Sequence, residues 1–393
     1  MHEPSGPIPV RMLVFLAAAC FASGASLRIA DSTLPDIAVS FATTPGDAAR
    51  VITFFGAAYA VAQFMYGFVG DRFGFLRVIT ATTILSGVSS IACAFAVSLD
   101  MLVLARIAVG LTAAAIIPLS FAWLGEVVPY SRRQAVLAYF LSGPILGITF
   151  GQAVGGILAE HFTWRSVFIT IAAFFLATGI ALALELRRRV DDLGGSSIAV
   201  NSAFTRIVSM ARRPLVAIVL VSVTLEGMFF FGAYTFVGSF IWAKFNLSLD
   251  LVGLIVAGFG IGGLLYSATA GRLLASFGEG GLTMWGGAIV AISFAAITFA
   301  PSAHFILPAT ICTGFGYYML HNTLQTNATQ MAPETRGLAV ATFASCLFMG
   351  QAIGVALAAP IYDDTGGAPI FLVSGALLFL LGSVFRILRA RTV

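Results

Sequence analysis

Four ionisable side chains stand inside long apolar runs of this sequence: Arg28, Asp31, Arg106 and Glu226. A charge at the centre of a membrane helix costs about 2.5–3.5 kcal/mol, so the four facing lipid would together cost roughly 10 kcal/mol. That is comparable to the whole stability of a domain. They must turn toward one another, or toward a water-filled cavity. Arg28 and Asp31, three residues apart, share one helical face. Desolvation and a neighbouring guanidinium act on a carboxyl proton in opposite senses. A balance of the two that shifts with conformation is the property a proton carrier needs. Glu226, in VTLEGMFFFGAY, is read as a second protonation site or a site for a substrate cation, with structural hydrogen bonding as the alternative.

Uncharged polar groups add a second candidate surface. The stretch YYMLHNTLQTNATQ places Tyr318, His321 and Gln325 on one helical stripe and Asn322, Thr326 and Thr329 on the next. Such a stripe inside a membrane has to line water or another helix, and a substrate-binding wall is the expectation. His321, with an ordinary pKa near ~6.5, could itself carry a proton. Tyr59, Gln63 and Tyr66 form a similar stripe earlier in the chain, and Tyr234, four residues past Phe230, adds an aromatic contact. Arg28 is a further substrate contact, suited to an anion. Enzyme chemistry has no support: no HExxH, GxSxG or GxxxxGK[ST] string occurs, so no catalytic residue is assigned. Cys20, Cys93, Cys312 and Cys346 lie in apolar runs without CxxC spacing, so no metal site or disulfide is expected.

The elements that position these groups follow from composition. The chain is 59% hydrophobic and 10% charged, against about 45–50% and about 25% in soluble globular proteins. Its apolar residues come in blocks near the ~20 residues that cross a bilayer. Spans are expected near 11–40, 49–70, 78–97, 101–124, 135–158, 165–185, 214–241, 251–274, 281–300, 304–328, 338–360 and 368–388. The expected fold is therefore an all-α polytopic membrane protein of twelve transmembrane helices. The polar stretch around RRRVDDLGGSS separates six from six, giving bundles at 1–186 and 214–393 and a linker at 187–213. Run through these spans, Arg11, Arg72, Arg77, Arg272, Arg386, Arg389 and most other arginines fall on one side, and only Arg50, Arg165 and Lys244 on the other. The positive-inside rule makes the arginine-rich side cytoplasmic, with both termini there. The basic balance is thus a topology signal, and no nucleic-acid partner is expected; the partners are the bilayer and a small molecule.

The two halves also repeat. A shift of 204 residues lays Gly110 on Gly314, Pro129 on Pro333, and Gly67, Phe73 and Gly74 on Gly271, Phe277 and Gly278. A shift of 199 lays GQAVGG, from Gly151, on GQAIGV, from Gly350. Parallel repeats of six spans are a transporter architecture.

Between the second and third spans lies GFVGDRFGFLR, Gly67 to Arg77. Its Gly67, Gly70, Asp71, Arg72, Gly74 and Arg77 resemble the loop signature of the major facilitator superfamily. With the repeat, the resemblance covers the whole chain and implies two six-helix bundles around a central cavity. It also implies that this loop is a conformational latch stabilising the outward-open state; a plain surface loop is the alternative. Phe75 and Leu76 stand where basic residues are usual, and Ala275 faces Asp71 in the repeat, so any latch is asymmetric. Arg106, four before Gly110, is similar to the family's fourth-helix motif associated with proton coupling, and ADSTLPDIA resembles the first-helix acidic motif of multidrug proton antiporters. These make Asp31 the expected titrating group and Arg106 its partner, with a static pair, or local satisfaction by Arg28, as alternatives. Gly147, Gly151, Gly155 and Gly156 resemble the antiporter glycine motif, a close-packing face, with Gln152 where Pro is usual. WRSVF, from Trp164, resembles the usual start of a sixth span and is expected to be an interfacial anchor. The resemblance implies a multi-pass protein of the bacterial inner membrane. Acting as a single chain and without a cofactor, it would export a drug or metabolite with the proton gradient as its energy source. Uptake by symport or facilitation is the alternative, and a sensor or membrane enzyme the remote one.

Overall fold

The structure, a computed structural model, describes residues 10–128, 130–188, 213–332 and 336–390. The expected linker falls almost wholly outside them, as do Pro129 and Pro333. The helices are Val10–Ser40 (α1), Pro45–Phe73 (α2), Phe75–Ala94 (α3), Leu99–Val127 (α4), Tyr130–His161 (α5), Trp164–Arg187 (α6) and Pro214–Phe245 (α7). A 51-residue helical stretch, Leu249–Phe299, follows. Straight, it would run roughly 75 Å, far beyond a hydrocarbon core of about 30 Å. Gly278, at φ 62° and ψ 173°, breaks it into two arms, 249–277 (α8) and 279–299 (α9). Ile306–Gln330 (α10), Arg336–Thr365 (α11) and Gly367–Ala390 (α12) complete the chain. Among the described residues ten helices are long and apolar enough to cross a membrane, the 51-residue stretch counting once. α10 falls short of that measure because it carries the polar stripe; counted with it, and with the 51-residue stretch divided at Gly278, the described residues hold twelve long helices.

The internal repeat is visible in packing. Gly74, at φ 87°, and Gly278 both take the left-handed region, where glycine has no Cβ penalty; they are 204 apart and turn the chain between equivalent helices. A Cβ on Gly110 would meet the carbonyl oxygen of Phe55 at 2.5 Å, and one on Gly314 that of Phe259 at 1.9 Å. Both partners in this contact are related by the same shift of 204.

Two helices lose regularity at the centre of the molecule. α1 runs as Val10–Arg28, a 3-10 turn at Asp31–Thr33, then Leu34–Ser40. Pro35 explains the interruption, since its ring lacks a donor and crowds the carbonyl four residues back, at Asp31. α7 passes from Pro214–Glu226 into a π-helical turn, Gly227–Phe231. Such turns occur mostly as single insertions, frequently at functional positions.

The two halves meet unevenly. Away from the arginine-rich face, a Cβ on Gly156 of α5 would lie 2.2 Å from the carbonyl oxygen of Leu249 in α8, and one on Gly46 would lie 2.5 Å from that of Ala359 in α11. At the arginine-rich face Gly67, Gly125, Gly271 and Gly337, in α2, α4, α8 and α11, have no atom within 4 Å of such a Cβ. Among the described residues the halves meet backbone to backbone on one face and leave open space beside these glycines on the other. Trp164 corrects one expectation: it is buried, with its ring 5.4 Å from that of Phe41, and is no interfacial anchor. Asp36 accepts a hydrogen bond from its backbone N–H at 2.7 Å, closing the buried start of α6.

Candidate functional site

Arg28 lies at the centre, where α1 loses its helical ladder. Its guanidinium donates to Asp31 Oδ2 at 3.3 Å and to Gln351 Oε1 of α11 at 2.9 Å. It also lies over the Phe231 ring of α7, 3.7 Å from the centroid. One side chain therefore joins an acid of its own helix to two helices of the other half. Arg28 is 4% and Asp31 2% exposed, so the pair is withdrawn from lipid and water alike. Asp31 Oδ1 finds no partner among the described residues.

Arg106 is not the direct partner of Asp31. It donates to the backbone carbonyl oxygens of Val51 at 3.3 Å and Ser26 at 3.3 Å, with its guanidinium 3.9 Å from the centroid of the Phe55 ring. The local alternative, Arg28, takes the ion pair; Arg106 contributes its charge to Asp31 from farther away.

On the other half Glu226, fully buried, meets His321 Nδ1 of α10 through Oε2 at 3.0 Å. Its Oε1 is left without a partner among the described residues. The His321 ring stacks on Tyr317, 5.2 Å between centroids at 10°, and Tyr317 lies 5.4 Å from Phe231. A continuous path thus runs Asp31, Arg28, Phe231, Tyr317, His321, Glu226. The π-helical turn begins directly after Glu226 and carries Phe231 toward Arg28.

The remaining candidates divide. His321 and Asn322 are partly exposed and Gln325 is exposed, on the side of α10 opposite buried Leu320, Leu324 and Ala328. Tyr318 is partly exposed and lies against Gly263 of α8, and Asn322 hydrogen-bonds Tyr266. Gln63 is buried with Oε1 unpaired. Tyr59 is buried against Phe348 of α11, 4.5 Å between centroids. Tyr234 is buried, and its hydroxyl donates to the Val256 carbonyl at 2.7 Å, so it serves packing in this conformation. The sequence singled out neither Gln351 nor a polar role for Gln152, which it marked only as the residue in place of a proline, although each is an amide inside an apolar run at the second position of the GQAxG repeat. Both Gln152 side-chain polar atoms are buried without a partner among the described residues.

In the loop at Gly67–Arg77, Gly70 is tight against Leu119 and Phe75 while Gly67 touches nothing, so close approach explains only one of the two. Asp71 makes no hydrogen bond or ion pair with described residues and lies within electrostatic reach of Glu126 in α4. Arg72 and Arg77 are exposed. The repeat lacks an acid at Ala275 but holds one beyond its turn: Glu279 pairs with Arg389 at 2.7 Å and accepts from Asn327 at 3.0 Å, tying α9, α12 and α10 together. Gly147, Gly151 and Gly155 rest on Phe21, Ala25 and Ile29 of α1. Gly156 rests on α8 of the other half, and the missing proline leaves this packing intact.

The model of the Major Facilitator Superfamily matches residues 16–242 and 219–393. An uncharacterised MFS-type transporter of Bacillus subtilis, YwfA, is 22% identical over 95% of this chain and 90% of its own length. The multidrug export protein EmrB of Escherichia coli is 28% identical over 200 residues, 49% of this chain but 39% of that protein. Among solved structures, a peptide transporter, POT, in complex with sulfate superposes with TM-score 0.78 at 14% identity, covering 99% of this chain and 97% of that one. An inward-facing, unoccupied bacterial homologue of the lysosomal transporter Spinster gives 0.70 at 16%, covering 98% of each. At such identities the structures speak for the fold alone. The matched model spans both halves, and this chain belongs to the major facilitator superfamily of membrane transporters.

Proposed function

We propose that this transporter exports a small organic molecule, a drug or a metabolite, in exchange for protons, by alternating access of two six-helix bundles. The observation that carries the reading is the buried path from Asp31 through Arg28 to Glu226, which links an acid of each half across their boundary. A carboxylate oxygen buried without a partner is costly, and each acid has one among the described residues; a proton on that oxygen removes the charge and so lowers the cost. Protonating Asp31 also frees Arg28 from its ion pair, so proton binding changes what holds α1 to α7 and α11. Gln325, Asn322 and His321 would then present polar groups to a substrate in the cleft that opens at the arginine-rich face. The positive-inside rule makes that face cytoplasmic, in the bacterial inner membrane, with Asp71 and its loop acting as a latch in the opposite conformation. The similarity to EmrB, a multidrug export protein, favours export over uptake. No cofactor beyond the proton gradient is needed, and a single chain contains the whole path.

The test is transport in proteoliposomes under an imposed pH gradient. Wild-type protein should drive a tracer from a panel of cationic and neutral compounds toward the acidic compartment. Asp31→Asn should retain tracer binding within about threefold and lose gradient-driven accumulation by about a hundredfold, within the range expected for a proton-transferring group. Normal pumping by Asp31→Asn would remove Asp31 as carrier, and accumulation in the alkaline compartment would replace export by symport.

A further inference from the structure

The face that is shut is held by two contacts of the same kind, related by the repeat. At the start of α8, Glu160 at the end of α5 accepts a hydrogen bond from the Leu249 backbone N–H, 2.7 Å from its Oε2. At the start of α2, Asp363 at the end of α11 accepts from the Gly46 backbone N–H at 2.9 Å and from the Thr44 hydroxyl at 2.6 Å. Glu160 and Asp363 are 203 residues apart, as are Gly46 and Leu249. Each half thus lends one carboxylate to the other half's helix N-terminus.

Local sequence leaves both helix starts in need of that carboxylate. The first N–H groups of a helix have no partner within it. In α2 Pro45 has no donor and the Thr44 hydroxyl caps only the Asp47 N–H, so Gly46 carries the N–H left over. In α8 the residue at the cap position, Ser248, makes no capping bond and turns its hydroxyl to Asp250 instead. A carboxylate there gains both a charge-assisted hydrogen bond and the favourable end of the helix dipole. Beside each contact the backbones are in close approach, Gly156 on Leu249 and Gly46 on Ala359, so the two halves touch where each acid caps.

We infer that Glu160 and Asp363 are a matched pair of positioning residues for the transport cycle. Each bridges the two halves at the face opposite the arginines, and both bonds must break for that face to open. This inference rests on the alternating-access reading, but its test follows opening rather than transport. Ala352 of α11 is buried at this boundary, 3.8 Å from the position of a Cβ on Gly56. Ala352→Cys is introduced with Cys312 and Cys346, the two less buried native cysteines, changed to Ala. Its maleimide alkylation in nanodiscs then reads the population open at that face. Removing one acid, by Glu160→Ala or Asp363→Ala, should raise the rate about fivefold, and both about twenty-five-fold, as for two independent terms on one opening. In a parallel protein the exposed Gln325→Cys, on α10, should be alkylated no faster in the double variant. An unchanged Ala352→Cys rate overturns the proposal, and so does an equal rise at both cysteines, which would mean general loosening. Loss of transport with these rates as expected would count against the proposed function and leave the gate standing.

Discussion

Arg106 donates to the carbonyl oxygen of Val51 at 3.3 Å, and Thr310, 204 residues later, donates to that of Ile255 at 2.7 Å. Donor and acceptor shift together, so the repeat uses this position to pin one helix to another, and a short hydroxyl suffices. The positive charge of Arg106 is an addition, buried without a carboxylate in contact. A buried charge lacking a direct partner is destabilising. Arg106→Thr, which keeps a donor for Val51, should therefore melt above Arg106→Leu, which keeps none and should cost about 1–3 kcal/mol, and both should abolish gradient-driven transport. A melting temperature that falls equally in both would make Arg106 structural. That Arg106 sits in a span was plain from its apolar neighbours. Its distance from Asp31 was not, because the bend of α1 at Pro35 sets it and Arg28 competes for the same acid.

At the scale of elements, glycines separate into those in contact with backbone and those with space around them. A Cβ on Gly314 would sit 1.9 Å from the Phe259 carbonyl oxygen, while one on Gly67 would meet nothing within 4 Å. Gly314→Ala should lower stability by about 1–3 kcal/mol through overpacking. Gly67→Ala should be neutral or stabilise by about 0.5–1 kcal/mol, since it only removes flexibility from a helix. Thermal unfolding followed by tryptophan fluorescence compares the two. Both glycines belong to the repeat that is legible in the sequence, and the spacing by itself gave them the same weight. The twelve helices came within a few residues of their expected positions because hydropathy periodicity is a local property. The π-helical turn after Glu226 has no such signal: Gly227 and Gly232 permit α11 to approach, and that approach is a tertiary fact.

The whole molecule is closed on one face and parted on the other, and Asp71 lies on the parted side without a partner among the described residues. Removing its charge therefore changes little in this conformation and acts on the opposite one, where the family resemblance places the latch. Asp71→Asn should lower alkylation of Ala352→Cys about fivefold, if the acid is worth roughly 1 kcal/mol at a helix end when engaged. A rise in that rate would show that Asp71 holds the present conformation instead.

The sequence by itself determined that the chain crosses a membrane many times, that its halves repeat, and that Arg28, Asp31, Arg106 and Glu226 cannot face lipid. Each follows from short-range composition or from the cost of a charge in hydrocarbon. Only the tertiary structure decided which of these groups meet. Arg28 took both Asp31 and Gln351, Glu226 found His321, and Tyr234 turned to the Val256 backbone. The acids at the closed face, Glu160 and Asp363, look in sequence like ordinary charges at the ends of spans. Their role comes from helix N-termini contributed by the other half, hundreds of residues distant in one case, and a linear pattern does not record which helix ends are brought together.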